Sequence, residues 1–127
     1  MIAVDTSALM AIVLQERWSL ACREAIAAED RVLISAGTLV EALIVSRRKD
    51  LYRAMAALIE GAHFTVIAVT EATAQRISLV YDRWGRGIHP AALNFGDCFA
   101  YDVAKQHDCA LLYVGDDFSK TDVKSVL

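Results

Sequence analysis

Four short runs of almost unbroken apolar residues punctuate the chain: Ile2–Val4, Val32–Ser35, Phe64–Val69 and Ala110–Val114. A strand covered on one face alternates apolar with polar side chains, whereas a strand covered on both faces is apolar throughout. These runs therefore belong in a parallel sheet with both faces covered. Helical spacing fills the gaps between them, and strands alternating with helices define an α/β fold. A further strand is expected over Asp122–Leu127. The first run is expected at the centre of the sheet.

The intervening helices read as follows. Ser7–Gln15 is apolar almost all round and should be buried. Trp18–Glu29 carries Trp18, Ala21, Cys22, Ala25 and Ile26 along one stripe. Thr38–Arg48 is again largely apolar and ends in Arg47-Arg48-Lys49. Leu51–Ile59 should stop at Gly61. Thr70–Trp84 opens on a capping threonine, and Phe95–His107 follows Asn94, a good N-cap. Gly85-Arg86-Gly87-Ile88-His89-Pro90 is the one obvious loop. No repeat or composition break divides the 127 residues, so a single domain over 1–127 is expected.

Composition narrows the function. The hydrophobic share of 56% exceeds the roughly 45–50% of ordinary globular chains, which implies apolar surface covered by a partner or a second copy. No apolar run approaches the roughly 20 residues of a membrane span, and the N-terminus lacks the basic stretch of a signal peptide. A cytoplasmic location without membrane contact is the expectation. The net charge of −3 argues against nucleic-acid binding over the whole surface, but it permits a local basic strip beside an acidic site. Cys22, Cys98 and Cys109 are widely spaced with no CxxC, which favours buried thiols over disulfides or zinc. His63, His89 and His107 form no facing pair and read as surface residues.

A few acids do not fit their surroundings. Asp5 ends the first strand, at the carboxyl edge where open α/β sheets place their ligands. Glu41 is the only charge between Thr38 and Val45; it either caps, through the Thr38-x-x-Glu41 pattern, or enters a buried site. Asp97 has the same two readings, with Asn94 as its capping partner and Gly96 beside it permitting close approach. Asp116 and Asp117 follow the last strong strand, either as a plain turn or as further site acids. Asp97 reaches the edge holding the others only if its helix starts there. If the acids converge, they need a cation or protons. Oxygen ligands without Cys or His point to Mg²⁺ or Mn²⁺, and such a site suits phosphoester hydrolysis.

The words Val4-Asp5-Thr6-Ser7-Ala8, the Glu41 helix, Leu93-Asn94-Phe95-Gly96-Asp97-Cys98-Phe99-Ala100-Tyr101 and Gly115-Asp116-Asp117-Phe118…Thr121-Asp122 together resemble the PIN-domain ribonucleases, and among them the VapC toxins of bacterial VapBC pairs. The resemblance implies a three-layer α/β/α sandwich with a central, mainly parallel sheet. It also implies Mg²⁺- or Mn²⁺-dependent endoribonuclease activity on tRNA or rRNA, a homodimer, and neutralisation by a VapB-type antitoxin. It further implies that the Asp97 helix presents its start to the metal site. Asp5 and Asp97 would be the principal metal ligands. Glu41 and Asp116 would complete the acidic pocket, with Asp117 the alternative to Asp116 and Thr6 or Ser7 in accessory roles. Asp102, turned about 140° from Asp97 on a helix, falls outside.

RNA backbone contacts are expected from Arg47, Arg48, Lys49 and Arg53, and from Arg83, Arg86 and His89 at the loop. Trp84 is better suited to the core than to a base. Two other classes stand beside the nuclease. One is a non-cleaving PIN-fold module that binds RNA or antitoxin. The other is an aspartyl-phosphate phosphatase, which wants Asp-x-Asp after the first strand where this chain has Asp5-Thr6-Ser7.

Overall fold

The computed structural model describes residues 1–127. Strands β1 (Ile2–Val4), β2 (Val32–Ser35), β3 (Thr65–Ile67) and β4 (Ala110–Leu112) form one sheet in the order β3-β2-β1-β4, with every pairing parallel. The helices are α1 (Thr6–Val13), α2 (Ser19–Ala27), α3 (Ala36–Arg48), α4 (Tyr52–Ala62), α5 (Glu71–Trp84) and α6 (Phe95–Gln106).

Strand periodicity divides the core in two. Ala3, Leu33 and Leu111 face one way and pack on α5 and α6 through Ile77, Trp84, Cys98 and Tyr101. Ile2, Val4, Val32, Ile34 and Leu112 face the other way and pack on α1, α2, α3 and α4 through Leu9, Ile12, Cys22, Ala42 and Met55. The result is the expected three-layer α/β/α sandwich with β1 inside the sheet. Two of the three cysteines are buried and all three are free thiols.

The elements depart from expectation in several places, each with a local cause. β3 pairs only with β2, and as the edge strand it leaves Val66 49% exposed. Its apolar run is thus not covered on both faces. The tail expected as a strand makes one isolated bridge, Leu111 to Ser125, and no more. Asp122, at its start, is drawn away from the sheet by Tyr101 and Lys105. Gly61 lies inside α4, and His63 ends the helix in the left-handed region at φ 51°. Ser35, not Thr38, caps α3 by accepting from the Gly37 amide at 3.2 Å. Thr38 is buried within the helix, so the Thr38–Glu41 capping box does not form.

Two polar contacts fix α5 against α6. Arg76 donates to both oxygens of buried Asp102 at 2.8 and 3.0 Å, which accounts for that acid and keeps it out of the site. The indole of buried Trp84 donates to the Tyr101 hydroxyl at 3.0 Å, so Trp84 is a core residue and not a platform for bases. A bridge between Gly85 and Leu93 closes the loop, and the chain then enters α6 at Asn94.

The first turns of α3 and α6 meet closely. A Cβ at Gly37 would sit 2.5 Å from the Phe99 ring, and one at Gly96 would collide with Oε2 of Glu41. The two glycines let α6 bring Asp97 up beside Glu41.

Candidate metal centre

Asp5 leaves β1 and caps α1. Its Oδ2 accepts from the Ser7 amide at 3.0 Å and from the Ser7 hydroxyl at 2.7 Å. The same hydroxyl accepts from the Val114 amide at 3.1 Å, which ties Asp5 to the segment leaving β4. Oδ1 of Asp5 is buried and has no partner. A buried carboxylate oxygen without a partner is costly unless a proton or cation meets it. Burial pushes Asp5 up to about 6, and the Glu41 charge adds to the push against the Ser7 hydrogen bonds.

Asp97 sits in the first turn of α6. Asn94 and Asp97 form a reciprocal capping box: the Asp97 amide donates to Asn94 Oδ1 at 2.8 Å, and the Asn94 amide donates to Asp97 Oδ2 at 2.9 Å. The capping and site readings are therefore not alternatives, because a carboxylate has two oxygens. Burial pushes Asp97 up to about 7, with negative charge on Asp5, Asp117 and Glu41 pushing the same way. Glu41 is half-buried on α3, and its Oε1 accepts from the Thr6 hydroxyl at 2.5 Å.

Two acids follow β4. Gly115 adopts φ 102°, a left-handed turn. Negative charge on Asp117 is among the influences that raise Asp97. Asp116 lines a cleft with Trp18, Tyr113 and Ser125.

Thr6 and Ser7 are both engaged by carboxylates. They therefore position acids here, and neither hydroxyl donates freely to a ligand. Arg47, Arg48 and Lys49 are exposed at the far end of α3, and Arg47 stacks on Tyr52 at 3.6 Å. Arg47 lies about 9 Å along the helix from Glu41 at the standard rise per residue. Arg86 is exposed on the loop before α6. Arg83 faces Asp122 at 3.8 Å, and His89 packs edge-on against Trp84.

A divalent cation fits this pocket by the chemistry of its donors. All are carboxylates, two are forced toward neutrality by burial and mutual repulsion, and one oxygen is orphaned. No three side chains enclose a point tightly enough to chelate an ion by themselves, so water and substrate oxygens would complete the coordination. That is how Mg²⁺ is usually held.

Gly96→Ala should damage this centre without touching a donor. The added methyl overlaps Glu41 Oε2, so Glu41 or the start of α6 must move. A displacement near 1 Å can cost about 10²-fold in rate. The expected result is a loss of that order in turnover at the pocket, read with Mn²⁺ binding by calorimetry. Unchanged values in both would contradict the close packing.

Parallel α/β layers with carboxylates gathered at the carboxyl edge define an α/β protein with an acidic pocket. The comparisons are more specific. The PIN domain model matches residues 2–124. Ribonuclease VapC28 of Mycobacterium tuberculosis is 40% identical over 128 residues, covering 98% of this chain and 96% of that one. The crystal structure of Mycobacterium tuberculosis VapC20, described as a sarcin-ricin loop cleaving toxin, aligns with TM-score 0.80 at 20% identity, covering 99% of this chain and 98% of that one. A toxin–antitoxin complex from Klebsiella pneumoniae aligns with TM-score 0.70 at 17% identity, covering 96% and 93%. The chain belongs to the PIN-domain family, among its VapC ribonucleases. No helix is long and apolar enough to cross a membrane.

Proposed function

We propose that this protein is the toxin of a type II toxin–antitoxin pair: an endoribonuclease, one domain over 1–127, that hydrolyses RNA phosphodiester bonds with Mg²⁺ or Mn²⁺. The observation that carries the reading is the meeting of Asp5, Glu41 and Asp97 at the sheet edge: Thr6, next to Asp5, donates to Glu41, Gly96, next to Asp97, abuts Glu41 Oε2, and buried Oδ1 of Asp5 has no partner. Asp5, Glu41 and Asp97 would hold the cation, with Asp117 rather than Asp116 as the fourth acid. When bound, the cation supplies the Lewis acidity that lets water attack phosphorus and that stabilises the departing oxygen.

The chain's own residues prepare the pocket. Ser7 holds Asp5 by Oδ2 and leaves Oδ1 free. Thr6 aims Glu41, and the Asn94 amide holds Asp97. Arg47, Arg48 and Arg86 are exposed cations that suit the RNA backbone. tRNA or rRNA is the substrate class and a VapB-type antitoxin the partner. Exposed Val40, Ile44 and Phe95, which are 54%, 52% and 72% accessible beside Glu41, favour a homodimer. A non-cleaving module would have no use for buried carboxylates that oppose folding at neutral pH.

The test is direct. Purified protein incubated with total RNA should cut it in Mg²⁺ or Mn²⁺, stop in EDTA, and resume when the ion is restored. Cleavage that persists in EDTA would overturn the metal reading. Intact RNA with retained binding would favour the non-cleaving module.

A further inference from the structure

Trp18 has no evident structural task. It occupies the N-cap of α2, where tryptophan offers no capping oxygen, and it makes no side-chain cap. It is 44% exposed, and the Arg17 guanidinium lies 5.0 Å from its ring centroid. Trp18 forms one wall of a cleft of about 290 Å³; Tyr113, Val114, Gly115, Asp116 and Ser125 form others.

This cleft adjoins the acid pocket through shared structure. The Val114 amide in its wall donates to Ser7, whose hydroxyl donates to Asp5. After the turn at Gly115, Asp116 lines the cleft. The wall and Asp5 are thus two hydrogen bonds apart, which puts the cleft within reach of a nucleotide flanking a phosphodiester at Asp5.

The cleft's charge selects the part of the nucleotide. No lysine or arginine lines it, and Asp116 would repel a phosphate. A flat aromatic side chain and a carboxylate acceptor suit a base that stacks and donates N–H groups. Guanine alone presents two adjacent N–H donors on its Watson–Crick edge, matching the two carboxylate oxygens. Single-stranded RNA exposes that edge.

We propose that the Trp18–Asp116 cleft binds one unpaired guanine of the RNA, stacked on Trp18 and donating from N1 and N2 to Asp116. The proposal rests on the ribonuclease reading for its RNA, and it gives the enzyme a sequence preference beside the cut.

The experiment maps 5′ ends of cuts made in a randomised single-stranded RNA pool with Mg²⁺. It compares the unaltered protein with Trp18→Ala, Trp18→Phe and Asp116→Ala, and measures Mn²⁺ binding for each by calorimetry. The unaltered protein should show guanine enriched at one fixed position relative to the cut. Trp18→Ala and Asp116→Ala should each cut that enrichment roughly tenfold, Trp18→Phe should keep most of it, and Mn²⁺ binding should hold in all. No guanine enrichment, or enrichment unchanged in Trp18→Ala and Asp116→Ala, overturns the proposal. Unchanged enrichment with weakened inhibition by antitoxin would assign the cleft to a protein partner instead. Loss of Mn²⁺ binding in Asp116→Ala would return Asp116 to the metal site and also overturn it.

If the unaltered protein cuts nothing, the ribonuclease reading fails by itself, and the cleft is then judged by fluorescence titration with guanosine monophosphate. Quenching stronger than with adenosine monophosphate, and reduced in Asp116→Ala, supports the guanine site. Equal quenching by the two nucleotides, or none, overturns it.

Discussion

Asp97→Asn is expected to fold normally and to lose RNA cleavage by a factor on the order of 10³ or more, the scale at which a single electrostatic element of a reaction centre acts. The choice of asparagine matters because Asp97 has two tasks. Its Oδ2 accepts from the Asn94 amide and completes the capping box. An asparagine oxygen can make the same hydrogen bond, so helix α6 keeps its start while the charge that draws a cation disappears. Asp97→Ala removes both, and should add a stability loss of about 1 kcal/mol for the missing cap. Comparing the two by kcat/KM and by urea unfolding separates charge from cap. Asp97→Asn within a few-fold of the unaltered protein would remove this residue from the chemistry. Asp5→Asn should behave alike, since its amide oxygen can still receive the Ser7 amide.

The same duality explains what could be read from residues alone. The sheet was legible because strands such as Ile2–Val4 and Val32–Ser35 are buried on both faces and therefore apolar at nearly every position. That signal does not say which strand is the edge, and Phe64–Val69 looked covered when only β2 flanks it. Asp5 was legible because a charge ending a buried strand has few places to go. For Glu41 and Asp97, local capping patterns compete with the site reading. At Asp97 the capping box forms and still leaves one carboxylate oxygen outside it, whereas at Glu41 the pattern is a coincidence because Ser35 caps earlier. The arrival of Asp97 at the carboxyl edge follows from topology, because α6 runs back to the amino edge where parallel β4 begins; the glycines at the α3–α6 crossing set only how closely it approaches Glu41, and a pattern read residue by residue cannot see a helix crossing. Gly96 was nevertheless a usable clue, for a glycine in a first helical turn costs helix propensity and implies something close by. Asp116 and Asp117 lay beyond any such clue, because they are adjacent acids after a left-handed turn at Gly115 and a residue pattern carries no sign of backbone φ.

The second large effect is on stability. Without metal, the protein should lose stability as pH rises from about 4 to about 7, opposite to the usual gain as surface carboxylates ionise. Asp5 and Asp97 have a reference pKa of 3.8, raised in the fold to about 6 and about 7. Between those limits the folded state holds protons that the unfolded chain has released, so stability falls with pH. The contribution is undiminished below pH 3.8 and is fully lost above about 7. At 1.36 kcal/mol per pKa unit, the cost for Asp5 alone is about 3 kcal/mol, and coupling between the two acids prevents simple addition. Asp122 is shifted the other way by Tyr101 and Lys105 despite its partial burial, and it acts below 3.8, outside this window. A divalent cation reverses the trend. It binds the ionised acids, displaces their protons and stabilises the fold by about 2.7 kcal/mol at a hundred times its Kd. Urea unfolding from pH 4 to 8, in EDTA and in Mn²⁺, should therefore give curves that separate as pH rises, with the metal curve higher at pH 7.5. In EDTA at that pH, Asp5→Asn and Asp97→Asn should both be more stable than the unaltered protein, because each removes a buried charge that nothing neutralises. In Mn²⁺ they should lose that advantage. A metal-free curve that is flat or rising between pH 4 and 7, with asparagine variants no more stable, would mean that these carboxylates are paired by the fold itself and have no call on a cation.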